Sequence, residues 1–130
     1  MNTDNGLAEG ERDPLTRRII GAAFEVARTL GHGFLEKIYQ NALVCELKMA
    51  GLIVEREVAF RITYKGNDVG AYLADIIVER SVVIELKAFD GQIIAAHIGQ
   101  CLNYLRASGI HKGLVINFGR PRLEWNRVVL

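Results

Sequence analysis

The sequence predicts a domain of the α/β type, α+β by strict class, with elements in the order ααβββαββ. Three observations predict it. Apolar residues recur every three or four positions over residues 14–30 and 34–50. From Leu52 the period changes to two, and strand-like segments joined by short turns follow as far as Lys87. Helical spacing then returns over 92–107, before a last apolar run at Leu114–Phe118. With 50% hydrophobic residues in 130, one compact domain has material for a core and little is left over for a second.

Residues 1–12 are polar and acidic and read as a flexible leader to a single domain over 13–130. Asp13-Pro14 supplies a capping carboxylate followed by proline at the first helical position. Leu15, Ile19, Ala22, Val26 and Leu30 then form one stripe of a helix over 14–30, and Gly31-His32-Gly33 breaks it. A second helix is predicted from Phe34 to Ala50, with Leu35, Ile38, Ala42, Cys45 and Met49 as its apolar stripe and Gly51 in the place of a capping glycine. In the strand that follows, Val54, Val58, Phe60, Ile62 and Tyr64 share one parity, as in a half-exposed strand. Lys65-Gly66-Asn67-Asp68 turns into a second strand, Tyr72–Val78, and Glu79-Arg80-Ser81 into a third, Val82–Lys87. Connections this short make an antiparallel meander. Gly119-Arg120-Pro121 separates the Leu114–Phe118 strand from a short edge strand at Arg127–Leu130.

Several function classes recede on composition. No apolar run approaches the roughly 18 residues that a membrane span needs, and the N-terminus lacks the apolar region of a secretory signal. A cytoplasmic location and no membrane partner are therefore expected. Cys45 and Cys101 lie singly in apolar helical segments and read as small buried hydrophobes rather than a disulfide. A formal net charge of +1 means that the domain as a whole does not attract nucleic acid. Such contact would come from local groups, Arg17 with Arg18 or Arg120, Arg122 and Arg127.

The sharpest chemical signal lies in the third strand. In Val83-Ile84-Glu85-Leu86-Lys87 the two charged residues share a face opposite Ile84 and Leu86. Asp75 sits ten residues before Glu85, inside the apolar run 73–78. Adjacent strands can bring Asp75 beside Glu85 and Lys87, and two neighbouring carboxylates repel unless a proton or cation lies between them. A hard divalent cation such as Mg²⁺ answers that need. On spacing alone an Asp75–Lys87 ion pair on a half-exposed sheet, with Glu85 solvated, stands equally well. Gln100 and Tyr104 lie one turn apart on the helix after this strand, able to reach the same sheet. Glu36 opens the second helix, where the helix dipole favours an acid, with Tyr39 on a neighbouring position. His32, His97 and His111 do not pair at metal-ligand spacing; His97, three residues before Gln100, is either turned toward the site or a packing residue. Phe89 and Trp125 read as core or edge aromatics.

Asp75, nine intervening residues, Glu85-x-Lys87 and then Gln100-x-x-x-Tyr104 resemble the PD-(D/E)XK nuclease superfamily, in its RecB-like branch. Gly33-x-x-Glu36-x-x-Tyr39 resembles the signature of the small GxxExxY proteins grouped with it. The resemblance runs from Asp13 to Leu130 and includes Ile116-Asn117-Phe118 and Pro121-Arg122-Leu123. It implies a restriction-endonuclease-like αβββαβ core, a central mixed sheet flanked by helices. It implies that Asp75, Glu85 and Glu36 hold Mg²⁺, with Mn²⁺ as a substitute. Lys87 would orient or activate the attacking water beside the phosphate. Tyr39, Gln100 and Tyr104 would support the site or touch nucleic acid, DNA ahead of RNA. Ala74 stands in place of the superfamily's proline, and Leu73 where GxxExxY proteins often carry arginine.

The expected function is thus a Mg²⁺-dependent nuclease hydrolysing phosphodiester bonds. The alternative is a nuclease-fold binding or regulatory module without turnover, acting in an oligomer or larger assembly. A homodimer, or a partner protein that supplies specificity, suits a domain with no separate recognition module.

Overall fold

In a computed structural model that describes residues 13–130, the eight elements fall in the expected order. They are α1 (Pro14–Leu30), α2 (Glu36–Met49), β1 (Val54–Tyr64), β2 (Asn67–Val78), β3 (Val82–Lys87), α3 (Ala95–Ser108), β4 (Lys112–Asn117) and β5 (Glu124–Val129). The leader lies outside the described residues. The strands form one mixed sheet in the order β1-β2-β3-β4-β5, antiparallel except for β3 beside β4. That parallel pair is bridged by α3, the crossover that a parallel connection requires. The meander expected of the first three strands is present. Among the described residues no helix is long and apolar enough to cross a membrane.

Asp13 caps α1 by accepting from the backbone N–H and hydroxyl of Thr16. It also receives Arg127 at 3.1 Å and Lys112 at 3.2 Å, which ties the start of the helix to β4 and β5. Burial alone would raise its pKa, but the Thr16 donors and the two cations outweigh that and hold it at about 2. Arg127 is thereby committed to Asp13 and drops out of the basic group expected near the C-terminus.

Two apolar layers sandwich the sheet. On one face α1 and α2 pack Ile19, Ala23, Tyr39, Leu43 and Leu47 against Ile76, Ile84, Leu114 and Ile116. On the other, α3 packs Cys101, Tyr104 and Leu105 against Ala74, Ile77, Val83 and Val115. The buried stripe of α2 differs from the expected one: Tyr39, Leu43, Val44 and Leu47 face the core, while Leu35 is 80% and Met49 71% exposed and Cys45 faces solvent. Both stripes satisfy helical periodicity, and the bulkier one is buried. It is anchored by the Tyr39 hydroxyl, which donates to Gly31 O at 2.6 Å and accepts from Phe34 N, and by stacking of its ring on Phe118.

The expectation that one parity of β1 faces one core also fails. Val54 packs with the α1–α2 layer, whereas Val58 and Phe60 pack with the α3 layer. The partner strand behaves alike: Tyr72 and Ala74 belong to the α3 layer and Ile76 and Val78 to the other. The reversal falls at Glu57, which has a left-handed φ of +54°; the ladder skips from Arg56↔Ile76 to Val58↔Ala74, leaving Glu57 and Asp75 in the unpaired step between. Both strands turn over together there, and Asp75 occupies the crossing point.

Candidate functional site

The turnover explains how an acid in an apolar strand meets its neighbours. β2 and β3 pair from Val78↔Val82 to Ile76↔Ile84 and no further, so the ladder opens where Asp75 would face Glu85. Three polar groups beside the opening are taken up by side chains. Asp75 Oδ2 accepts the Leu86 N–H at 2.8 Å, replacing a backbone acceptor. The Gln40 side-chain amide donates to Asp75 O at 3.0 Å, and the Tyr104 hydroxyl donates to Leu73 O at 2.9 Å. Backbone groups left unpaired in such a place would cost about 1–3 kcal/mol each, so Gln40 and Tyr104 hold the strands apart at little penalty.

Glu85 is only 4% exposed, and its Oε2 has no hydrogen-bond partner. Burial, then the charge of Asp75, push its pKa up to about 8; Lys87 opposes the shift and Glu36 adds to it. Asp75 is raised too, chiefly by burial, against the Leu86 hydrogen bond and Lys87. Glu36 is exposed along its length, but partial desolvation of its carboxyl and the charge of Asp75 raise it as well. Three acids from α2, β2 and β3 therefore share one field. Lys87 Nζ lies 3.4 Å from Gln100 Oε1 of α3. Asp75 and Lys87 form no salt bridge among the described residues, and Glu85 is not solvated, so the plain ion-pair reading does not describe this sheet end.

A divalent cation fits this donor set on one ground in particular: a buried carboxylate oxygen without a partner, between two further acids, is a ligand position that protein groups leave open. Among the described residues no three Asp, Glu, His or Cys side chains converge as a ready-made cage.

The other expected residues serve the site indirectly. Tyr39 is fully buried in the core and is not on a nucleic-acid-facing surface. Tyr104 is buried, and burial with the nearby acids raises its pKa. His97 uses Nδ1 to accept the Ile94 N–H at the start of α3, with its ring against Phe89, so the packing role holds. The Leu73 side chain is half exposed; its carbonyl is the part in use. Cys101 is buried behind Glu85, and burial pushes its thiol up to about 12. Trp125 sits on edge strand β5.

Sequence reasoning assigned no role to Gln40 or Asn117. Asn117, fully buried, accepts from Phe89 N and Gly119 N and donates to Phe89 O and Gly91 O. Phe118 N adds a bond to Lys87 O at 2.8 Å. The end of β4 thus fastens the chain immediately beyond Lys87. Gly119 lies so close that a Cβ there would stand 2.2 Å from Phe89 N. The available signal was an amide inside an apolar run, Leu114-Val115-Ile116-Asn117-Phe118, and another, Gln40, within the stripe that is buried.

The mixed five-strand sheet flanked by helices is of the restriction-endonuclease-like fold, and its opened strand end carries an acid pair and a lysine. The chain belongs to the PD-(D/E)XK nuclease superfamily, whose family model matches residues 13–128. No curated protein matches. Among solved structures, SSO0001 is similar at 25% identity and a TM-score of 0.60, covering 72% of this chain and 48% of its own. The chain thus spans about half the length of that relative. An alkaline exonuclease from Laribacter hongkongensis is 15% identical with a TM-score of 0.47, over 82% of this chain and 75% of its own.

Proposed function

We propose that this domain is a Mg²⁺-dependent nuclease that hydrolyses phosphodiester bonds in nucleic acid, DNA ahead of RNA, with Mn²⁺ able to replace Mg²⁺. The observation that carries the reading is Glu85, a buried carboxylate with an unsatisfied oxygen beside Asp75 and Lys87, in a member of a nuclease superfamily. Asp75, Glu85 and Glu36 would hold the cation. When bound it supplies Lewis-acid charge stabilisation at the phosphate and lowers the pKa of the attacking water.

The chain's own groups do the rest. Lys87 brings a positive charge to the phosphate oxygens and orients the water, and Gln100 holds its ammonium in place. Hydrolysis forms a bond from the water oxygen to phosphorus and breaks a phosphorus–oxygen ester bond; the leaving oxygen takes a proton. Tyr104 and Gln40 keep the strand end open, and Asn117 sets the backbone after Lys87. A second site for the second strand of a duplex would come from a homodimer, and specificity from a partner protein.

Purified protein should cut single- or double-stranded DNA or RNA with Mg²⁺ or Mn²⁺. Asp75→Ala and Lys87→Ala should each lower the rate by about a thousandfold or more. Wild type indistinguishable from Asp75→Ala across substrates and metals would overturn the reading and leave a binding module without turnover.

A further inference from the structure

We propose that the cavity between Gln92 and the loop from Arg120 to Glu124 is a phosphate subsite, holding a second phosphate of the strand whose reacting phosphate lies at Lys87. The inference rests on the nuclease reading. The cavity has a volume of about 450 Å³ and is lined by Gln92, Arg120, Pro121, Arg122, Leu123 and Glu124.

Its chemistry is cationic. Arg28, Arg61, Arg80 and Arg127 each face a carboxylate, but neither Arg120 nor Arg122 has a hydrogen bond or ion pair among the described residues. The one acid in the wall makes no ion pair with them: both Glu124 carboxylate oxygens accept the Ile93 N–H, at 3.1 and 3.0 Å. Glu124 thereby fastens the two walls together and leaves a pair of guanidiniums with the Gln92 amide. Guanidinium forks match phosphate oxygens bidentately, and the exposed Pro121 offers an apolar surface to the sugar.

Position links this cavity to the candidate site. Lys87 and Asn117 are register partners at the same end of parallel strands β3 and β4. Gln92 follows the first strand and Arg120 and Arg122 follow the second, so both walls leave the sheet where the carboxylates and Lys87 sit. Asn117 bonds Phe89, Gly91 and Gly119, which presets the spacing between Lys87 and the cavity. With a formal net charge of only +1, strand affinity must come from a local group of this kind.

The test is the salt dependence of binding, in the full chain carrying Asp75→Ala with Mg²⁺ present so that cleavage does not intervene. Fluorescence anisotropy follows a labelled single-stranded oligonucleotide over about 50 to 300 mM salt. Arg120→Gln and Arg122→Gln should each weaken binding several-fold. Each should also flatten the slope of log K against log salt by about 0.7, the loss of one single-strand phosphate contact. Lys48→Gln, exposed in the last turn of α2, should change neither, and thermal midpoints should stay together. Strands with a 5′-phosphate or a 5′-hydroxyl separate a terminal phosphate from an internal one, since an effect confined to the former assigns the terminal group. Unchanged slopes in both cavity variants, with binding intact in the parent, would overturn the subsite alone. A parent that binds no strand would overturn the nuclease reading along with it.

Discussion

Replacing Glu85 by glutamine isolates the cost of keeping a carboxyl group at the buried end of β3. In the metal-free protein its pKa is about 8, raised from 4.5 by burial first and Asp75 second. Between those values the unfolded chain has released a proton that the folded chain retains. Stability from this group is therefore fully present below about pH 4.5 and is lost as pH rises to about 8. One such group changes stability by at most about 1.4 kcal/mol per pH unit, so the loss between pH 4.5 and 7 is about 3 kcal/mol. Glutamine does not titrate. The variant should gain on the wild type by that amount over the same interval and show no further gain above about pH 8.

A constant offset underlies the difference, because the amide brings donors to a place where Oε2 already lacks a partner, at a cost of about 1–3 kcal/mol. The diagnostic is thus the slope with pH, not the stability at one pH. Asp75 and Glu36, both raised, leave the variant a residual slope of the same sign. Urea unfolding in EDTA at half-unit pH steps measures both curves. Parallel curves for wild type and Glu85→Gln would refute the reasoning.

Other perturbations give separate readouts. Gly119→Ala forces a methyl group against the Phe89 backbone, so the thermal midpoint should fall sharply, by 2 kcal/mol or more in chemical unfolding, about the usual cost of overpacking. Asn117→Ala removes four hydrogen bonds, three to Phe89 and Gly91 and one to Gly119, and should cost about 2–4 kcal/mol in urea unfolding, with a further loss of cleavage rate at temperatures where the fold is intact. Arg80→Gly should stabilise by about 1 kcal/mol, because Glu79 and Arg80 both take left-handed φ in the β2–β3 turn and the Arg80–Glu55 contact is long and exposed.

The sequence carries some of these features plainly and hides others. α1 was legible to the residue because Asp13-Pro14 and Gly31 mark its two ends chemically. β3 was equally clear as an apolar run with turns on both sides. The buried face of α2 was not, since periodicity admits two stripes and only packing chooses between them. β2 begins at Asn67 rather than near Tyr72, because hairpin pairing carries Asn67, Asp68 and Gly70 into the strand across a register shift. The turnover at Glu57 was invisible to a period-two reading, which assumes that parity is kept. Asp75, Glu85 and Lys87 stood out because charges in apolar strands demand a reason. Glu36 rested on the resemblance; Asn117 entered only within the Ile116-Asn117-Phe118 part of that resemblance, with no role attached, and Gln40 carried no charge to draw notice.

The fastening of the Lys87–Gly91 segment by Asn117 bears on how the domain assembles. All three charged residues of the sheet end are in the chain by residue 87, yet the groups that hold the turn after them lie 28 residues further on. A nascent or truncated chain ending before β4 would carry the acids and the lysine without the strand that sets them. The site is completed only when α3 has crossed over and β4 has paired with β3. Its formation belongs to the late, non-local part of folding. Maturation of the site and closure of the sheet are then a single event, and loss of the β4 pairing should remove the one with the other.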